Sequence, residues 1–254
     1  MSGLLTKFVA ANRRAAKWCE RQFPSIFASP SYKAELERRI QSDIASRAPK
    51  TILEIGGIDR PLLARGKGFD YVGLDIEEKP RCADIYDRFL VQSVEETTDL
   101  RADMAISITV LEHVPNNTAA ARTIFRALNE GGTTHHYIPS KWHPYSVALR
   151  VVGPTLQKKL IALLRPAAKG VSGYPAYFDH CSPCAMERLF RNVGYDNIEV
   201  QAFYRASDYF AFFLPIYVVI ALFENLCRGL RLRGVASGFV ISAERPAVKG
   251  PADA

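Results

Sequence analysis

Apolar positions at the start of the chain recur with a helical period. At about 100° per residue, Leu4, Leu5, Phe8, Val9, Ala11, Ala15, Ala16, Trp18 and Cys19 share one half of a helical wheel, and Lys7, Arg13, Arg14, Lys17 and Arg21 take the other. An amphipathic helix is expected there, ended by Phe23-Pro24, since the residue before a proline is driven out of helical backbone. A second helix is expected from about Ser31, with Tyr32, Leu36, Ile40 and Ile44 at four-residue spacing and Ala48-Pro49 as its stop.

Beyond residue 50, short apolar runs alternate with helical stretches, the pattern of a parallel sheet with helices on both faces. The expected strands are 51–55, 71–75, 89–91, 102–109 and 133–139. Between the last two, "NNTAAARTIFRALNEGG" reads as a helix opened by Asn117 or Thr118 and stopped by Gly131-Gly132. After an insertion at 141–180, "SPCAMERLFRNVGY" reads as a helix with Pro183 in its first turn and "NIEVQAFY" as a sixth strand. A seventh, "SGFVISAER", comes later. The fold class expected is α/β, with helices over 1–49, a sheet domain over 50–246 carrying additions at 141–180 and 207–234, and a flexible tail at 247–254.

With 254 residues, 48% of them hydrophobic, the chain can bury one sizeable core. Its five cysteines are odd in number and scattered, which fits a reduced cytosolic protein better than a disulfide framework. Cys181 and Cys184 beside His180 form a lone pair with no second pair, so no metal site is expected. Lys7 interrupts the first apolar run, so the start of the chain does not read as a secretory signal. The formal charge of +7 is uneven: residues 1–50 hold ten Lys/Arg against four Asp/Glu, and residues 141–170 hold six basic residues and no acid. Such a face either is simply solvated or turns toward phosphates, nucleic acid or an anionic bilayer.

The segment "TILEIGGIDRP" narrows the chemistry. A dinucleotide fingerprint needs glycine at the first, third and sixth loop positions, and counting from Gly56 those positions hold Ile58 and Pro61. A nicotinamide or flavin dinucleotide is thereby disfavoured. Glu54 nevertheless lies two residues before Gly56, and Asp75 ends the next strand, where a carboxylate can accept both ribose hydroxyls.

"LEIGG" (53–57), "YVGLDI" (71–76), "ISITVLEHVPN" (106–116) and "IFRALNEGG" (124–132), in this order, resemble the class I S-adenosylmethionine-dependent methyltransferases. The resemblance implies a Rossmann-like seven-stranded sheet of order 3-2-1-4-5-7-6, with an N-terminal helical extension and an apolar helical insertion between strands six and seven as departures. It implies S-adenosyl-L-methionine across the carboxyl ends of strands one to four. Glu54, Gly56 and Gly57 would wall the methionine part, Asp75 would hold the ribose, and Ile76 would pack on the adenine. Gln92, Ser93 and Val94 take the place of the residues that reach the adenine amino group, with Gln92 accepting through its amide oxygen; Thr109 and Leu111 would lie beside the methionine. Ile58 and Arg60 replace later glycines of the family loop.

Methyl transfer from a sulfonium is an in-line displacement in which alignment can supply about 7–11 kcal/mol, against about 3–5 kcal/mol from a general base. A hydroxyl acceptor still has to lose its proton. His143, in "PSKWHPY", is the first candidate base, followed by His113 and Asp179, while His135 and His136 read as packed or hydrogen-bonded strand residues. Tyr145, Tyr174 and Tyr177 would suit sugar rings or serve as insertion core.

"YFAFFLPIYVVIALF" (209–223) is uncharged but short of the roughly twenty residues a lipid span needs. With the following "CRGLRLRG" it suits either an interfacial membrane contact shared by 1–23 and 207–234, or packing on the N-terminal helix or across a homodimer. The expected acceptor is a saccharide or lipid-linked envelope glycan, met in the cytoplasm at the inner membrane face. Rival readings are an RNA or other small-molecule methyltransferase and a non-catalytic scaffold of the same fold. Amino methylation of nucleic-acid bases is disfavoured, because "TVLEHVP" lacks the Asn/Asp-Pro-Pro-aromatic segment.

Overall fold

The computed structural model describes residues 3–58, 60–147 and 174–247. Seven strands, β1 Thr51–Ile55, β2 Asp70–Asp75, β3 Arg88–Val91, β4 Ala102–Ile108, β5 Leu128–Pro139, β6 Asp196–Phe203 and β7 Gly238–Glu244, form one sheet of order β3-β2-β1-β4-β5-β7-β6. The helices of eleven residues or more are α1 Gly3–Gln22, α2 Tyr32–Arg47, α3 Asn117–Ala127, α4 Pro183–Val193 and α5 Leu214–Gly229. Strands β1 to β5 pair in parallel. β7 departs from that pattern. Ser140 N–H donates to Ser237 O and Arg245 N–H to Gly132 O, so β7 runs antiparallel to β5, and its link from β6 needs no right-handed crossover.

The chain divides into two compact units, Met1–Ser31 with Pro139–Pro175 and Ala202–Gly238, and Tyr32–Ile138 with Ala176–Gln201 and Phe239–Ala254. Of the two leading helices expected over 1–49, α1 falls in the first unit and α2 in the second. Helix α2 belongs to the sheet unit because it buries Leu36 and Ile40 and ties itself to the strands. Arg39 donates to Ser242 at 3.0 Å and Gln201 at 3.1 Å, and Asp43 meets His135 at 3.0 Å. Most of the insertion at 141–180 lies outside the described residues, as does the tail from 248.

The sheet unit is held by a core that includes Leu53, Val72, Ala105, Ile124, Phe190 and Phe239, all buried. Helix α3 opens one residue earlier than its sequence suggests: Asn116 is the cap, its side chain accepting the Ala119 N–H at 3.0 Å. It also ends earlier. Gly131 and Gly132 do not stop α3 but sit inside β5, where the pairing with β4 slips between Ala102 and Met104. Gly131 takes φ +74, and a Cβ on Gly132 would lie 2.8 Å from Asn129 O and 3.0 Å from Asp103 O. The pair therefore serves a bulge.

The other unit joins α1 and α5. Asn12 Oδ1 accepts the Leu214 N–H at 2.8 Å, Phe27 stacks on Tyr217 at 5.5 Å, and Arg205 pairs with Glu20 and with Asp208 at 2.9 Å.

Entry into β1 is fixed by one carboxylate. Asp103 accepts the N–H groups of Lys50 at 2.8 Å and Thr51 at 3.0 Å, and the Asn129 amide at 2.7 Å. Asp103→Ala is expected to lower the unfolding free energy by about 2 kcal/mol, because three donors lose their acceptor in a partly buried place. A urea midpoint that does not move would show that water replaces the clamp without loss.

Candidate functional site

The strand register sets out the site. Ile55 faces Leu74 on one side and Ser107 on the other, and Asp75 faces Val91. Gln92, Asp75, Gly56 and Thr109 therefore follow one another along the carboxyl edge of the sheet unit, where ligands bind in open α/β sheets.

At the centre is Glu54. Its side chain is buried, with Oε2 accepting from the hydroxyls of Tyr71 and, at 3.0 Å, Tyr86, and Oε1 accepting the Leu62 N–H at 3.0 Å. Burial pushes the carboxyl up to about 7, and these three donors pull the other way. Glu54 is thus an anchor for the loop, a different task from the wall expected of it. Gly56 has φ +77, and a Cβ there would lie 2.3 Å from Val110; one on Gly57 would lie 2.2 Å from the Tyr86 hydroxyl and 2.4 Å from the Glu54 carboxyl carbon. Both glycines are demanded by protein atoms. Ile58, where the family loop carries glycine, still takes the left-handed backbone at φ +42, and its side chain is buried. The turn survives without the residue that usually permits it.

Asp75 lies half-buried at the tip of β2, where burial raises its carboxyl above the ordinary value against the Glu77 N–H, which donates to Oδ1 at 3.0 Å. Ile76, next along, is 62% exposed, an apolar face ready for a flat ring. Gln92 N–H donates to Asp75 O at 2.8 Å. Both hydrogens of the Gln92 amide go to Glu96 O at 3.1 Å and Thr97 O at 2.9 Å, so the end left for a ligand is the acceptor oxygen. The hydroxyl of Ser93 accepts the Glu95 N–H at 3.2 Å and closes the turn. Thr109 is exposed with φ +54, and its N–H donates to Tyr137 O at 3.0 Å. Two expected contacts need correction: the side chains of Val94 and Leu111 are buried in the core, and only their backbone can face a ligand. Taken together, a diol acceptor, an apolar face, an amide oxygen and a loop already turned to receive a chain fit an adenosyl group.

The candidate bases separate. His143 is 1% exposed; Nδ1 accepts the Tyr145 N–H at 3.2 Å, and Nε2 lies 3.3 Å from Glu224 Oε1, close but outside hydrogen-bond alignment. Glu224 also accepts the Ala206 N–H at 2.5 Å. His143 is a buried link within its unit, which overturns its first place among the bases. Asp179 is occupied as well, taking the Asn117 N–H at 2.8 Å and the His180 ring at 2.8 Å. His113, in the turn Leu111–His113 after β4, has a side chain 35% exposed, with Nε2 3.7 Å from Glu112 Oε1. Tyr177, an exposed ring, is tied to that turn by its N–H on Glu112 O at 2.9 Å. Tyr145 instead stacks on Tyr209 at 3.9 Å. His135 bonds Ser242 at 2.9 Å and Asp43; His136 bonds Ser107 at 2.7 Å and Thr134, and burial, then His135, holds its ring near pKa 3. Among the described residues no cluster of His, Cys, Asp or Glu could hold a metal ion.

Sequence reasoning passed over Glu112. It is fully buried, Oε2 has no hydrogen-bond partner, and burial pushes its carboxyl up to about 8. Only its place in "LEH" after a strand could have signalled it. The folded protein keeps this proton from 4.5 up to about 8, whereas the unfolded chain releases it near 4.5. The stability it gives is full below pH 4.5 and is lost as pH rises toward 8. Glu54 titrates in the same direction but finishes near 7. Glu112→Gln is expected to remove a slope of about 1.4 kcal/mol per pH unit between neutrality and pH 8, read from denaturant titrations at each pH. Parallel curves for both proteins would mean that the carboxyl ionises normally.

The sequence matches the model of a family described as a methyltransferase domain over residues 27–200. No curated protein matches the chain. Among solved structures, it is similar to a SAM-dependent methyltransferase from Archaeoglobus fulgidus, at 13% identity and TM-score 0.51 over 89% of this chain and 97% of that one. It is also similar to the CMeT domain of the citrinin polyketide synthase, at 14% identity and TM-score 0.52 over 85% of this chain and 52% of that domain. Those likenesses establish the fold, and the family match spans more than half of the sequence. The chain belongs to the methyltransferase-domain family, with the class I fold whose methyl donor is S-adenosyl-L-methionine.

Proposed function

We propose that this chain O-methylates a saccharide, free or as a lipid-linked envelope glycan, at the cytosolic face of the membrane. The observation that carries the donor half is the row Gln92, Asp75, Gly56 and Thr109 along one strand edge. Asp75 would take the ribose hydroxyls, Ile76 the adenine face and Gln92 the adenine amino group, with the turn Gly56–Ile58 beside the methionine part. When bound, S-adenosyl-L-methionine supplies an electrophilic methyl on sulfur.

The acceptor half rests on the turn after β4. Tyr177, exposed and bonded through its backbone to Glu112, offers an aromatic face one residue along from His113. A sugar ring stacked there would bring a hydroxyl toward the imidazole, which would take its proton. Orientation of acceptor against donor remains the larger contribution.

Asp75→Ala should weaken S-adenosyl-L-methionine binding by about 2 kcal/mol or more, roughly thirtyfold in Kd by calorimetry, through loss of charge-assisted hydrogen bonds. An unchanged Kd would remove the ribose contact. His113→Gln should reduce kcat about a hundredfold, with cofactor affinity kept. Equal turnover would discard it as proton acceptor. Comparing the mass of envelope glycans from cells with and without the protein tests the acceptor: glycans that lack no methyl group in the deletion would end the saccharide reading.

A further inference from the structure

Helix α5 is apolar on two sides. Tyr217 and Ala221 point inward, packed with Ala16 and Phe27. On the opposite side Ile216, Val219, Leu222, Leu226 and Leu230 recur within an arc of about 120°. That second stripe is in solvent: Val219 is 64% exposed, Leu222 51% and Leu226 60%. A soluble helix ordinarily shows polar residues there.

Helix α1 repeats the arrangement. Leu4, Phe8 and Trp18 are 79%, 49% and 51% exposed along one side, while Ala16 faces inward. Phe8 stacks on Phe213 at 6.4 Å, one residue before α5, so the two stripes meet at that point. The charges around them have one sign. Lys7, Arg14 and Arg21 border the α1 stripe, and Arg228 and Arg231 lie at the end of α5, all exposed. Each helix contains one acid, and neither is available to a partner: Glu20 pairs with Arg205, and Glu224 is buried against Ala206 and His143. No helix among the described residues is long and apolar enough to cross a membrane.

We propose that α1 and α5 together form a docking surface for an anionic phospholipid bilayer, lying in its interface with the leucine stripes among the acyl chains and the basic rim on the headgroups. Apolar side chains alone would fit a second copy of the chain equally well; the rim of five cations decides for lipid, since the exposed acid in the turn before α5, Asp208, is paired with Arg205 at 2.9 Å and two copies of that rim would repel each other. The surface names the partner behind the membrane-face part of the proposed function and rests on that reading.

The test is cosedimentation of the full chain with vesicles of phosphatidylcholine alone or mixed with phosphatidylglycerol, with neither methyl donor nor acceptor present. Binding is expected to the mixed vesicles, with a loss of about tenfold or more on phosphatidylcholine and at high salt. Leu222→Gln with Leu226→Gln, and separately Lys7→Glu with Arg14→Glu, should each weaken it by about tenfold or more while calorimetric S-adenosyl-L-methionine affinity and Tm stay put. Failure to pellet, or equal pelleting with both lipids, would overturn the docking surface. So would a dimer in light scattering that the leucine variant converts to monomers without any vesicle binding. Since donor binding is measured separately, loss of the docking surface leaves methyl transfer standing, and loss of donor binding does not touch the vesicle result.

Discussion

The arrangement at the sheet edge depends on one buried carboxylate. Glu54 sits in the middle of three parallel strands, and its oxygens bind the hydroxyl of Tyr71 from β2, the hydroxyl of Tyr86 from the turn before β3, and the N–H of Leu62 from the far side of the loop. A buried carboxyl without such partners would cost several kcal/mol and would drive the loop open to reach water. With them, it fixes where the chain leaves β1 and where it returns. The same packing explains Gly57, whose absent side chain is the space that Tyr86 and Glu54 fill. Asp75 and Gln92 inherit their positions from this anchor, since β2 is registered against β1 and β3 against β2. A residue chosen from a motif for ligand contact has both carboxylate oxygens engaged by protein donors.

That anchor marks the boundary of what the sequence discloses. Periodicity located every strand and the sheet order followed from the family resemblance, because apolar runs and their spacing report burial directly. The positions of Asp75 at the tip of β2 and of Gln92 just past β3 were also legible, because they follow from the strand ends. What stayed hidden needed a third dimension. Gly131 and Gly132 look like a helix stop, yet they relieve a backbone approach to Asp103 that only the pairing of β4 with β5 creates. His143 looks like a base because its neighbours are polar and aromatic, and only the fold puts Glu224, more than eighty positions away in the chain, against its ring. Val94 and Leu111 carry no signal that separates a core side chain from a ligand-facing one.

Glu112 extends the point from placement to protonation. A carboxyl in "LEH" at a strand end reads as a negative charge, and the burial that makes it neutral near pH 7 is invisible in the sequence. The ionised form would leave a buried charge on an oxygen that has no partner, and the uncharged form avoids that cost.

Two β-branched residues hold left-handed backbone at this edge, Ile58 at φ +42 and Thr109 at φ +54. Each such residue costs on the order of 1–3 kcal/mol, and the conformation lasts only where the surroundings over-determine it. For Ile58 the surroundings are the Glu54 anchor and burial of its own side chain. For Thr109 they are the β5 carbonyl of Tyr137, which takes its N–H, and its hydroxyl bond to Ile108 O at 2.7 Å. Both lie just past the strands that would border the methionine part of the donor. A glycine would have met the same angles without strain but with a looser loop. Here the turn is held by the packing of protein atoms, and a loop fixed in that way spends less binding free energy on being ordered.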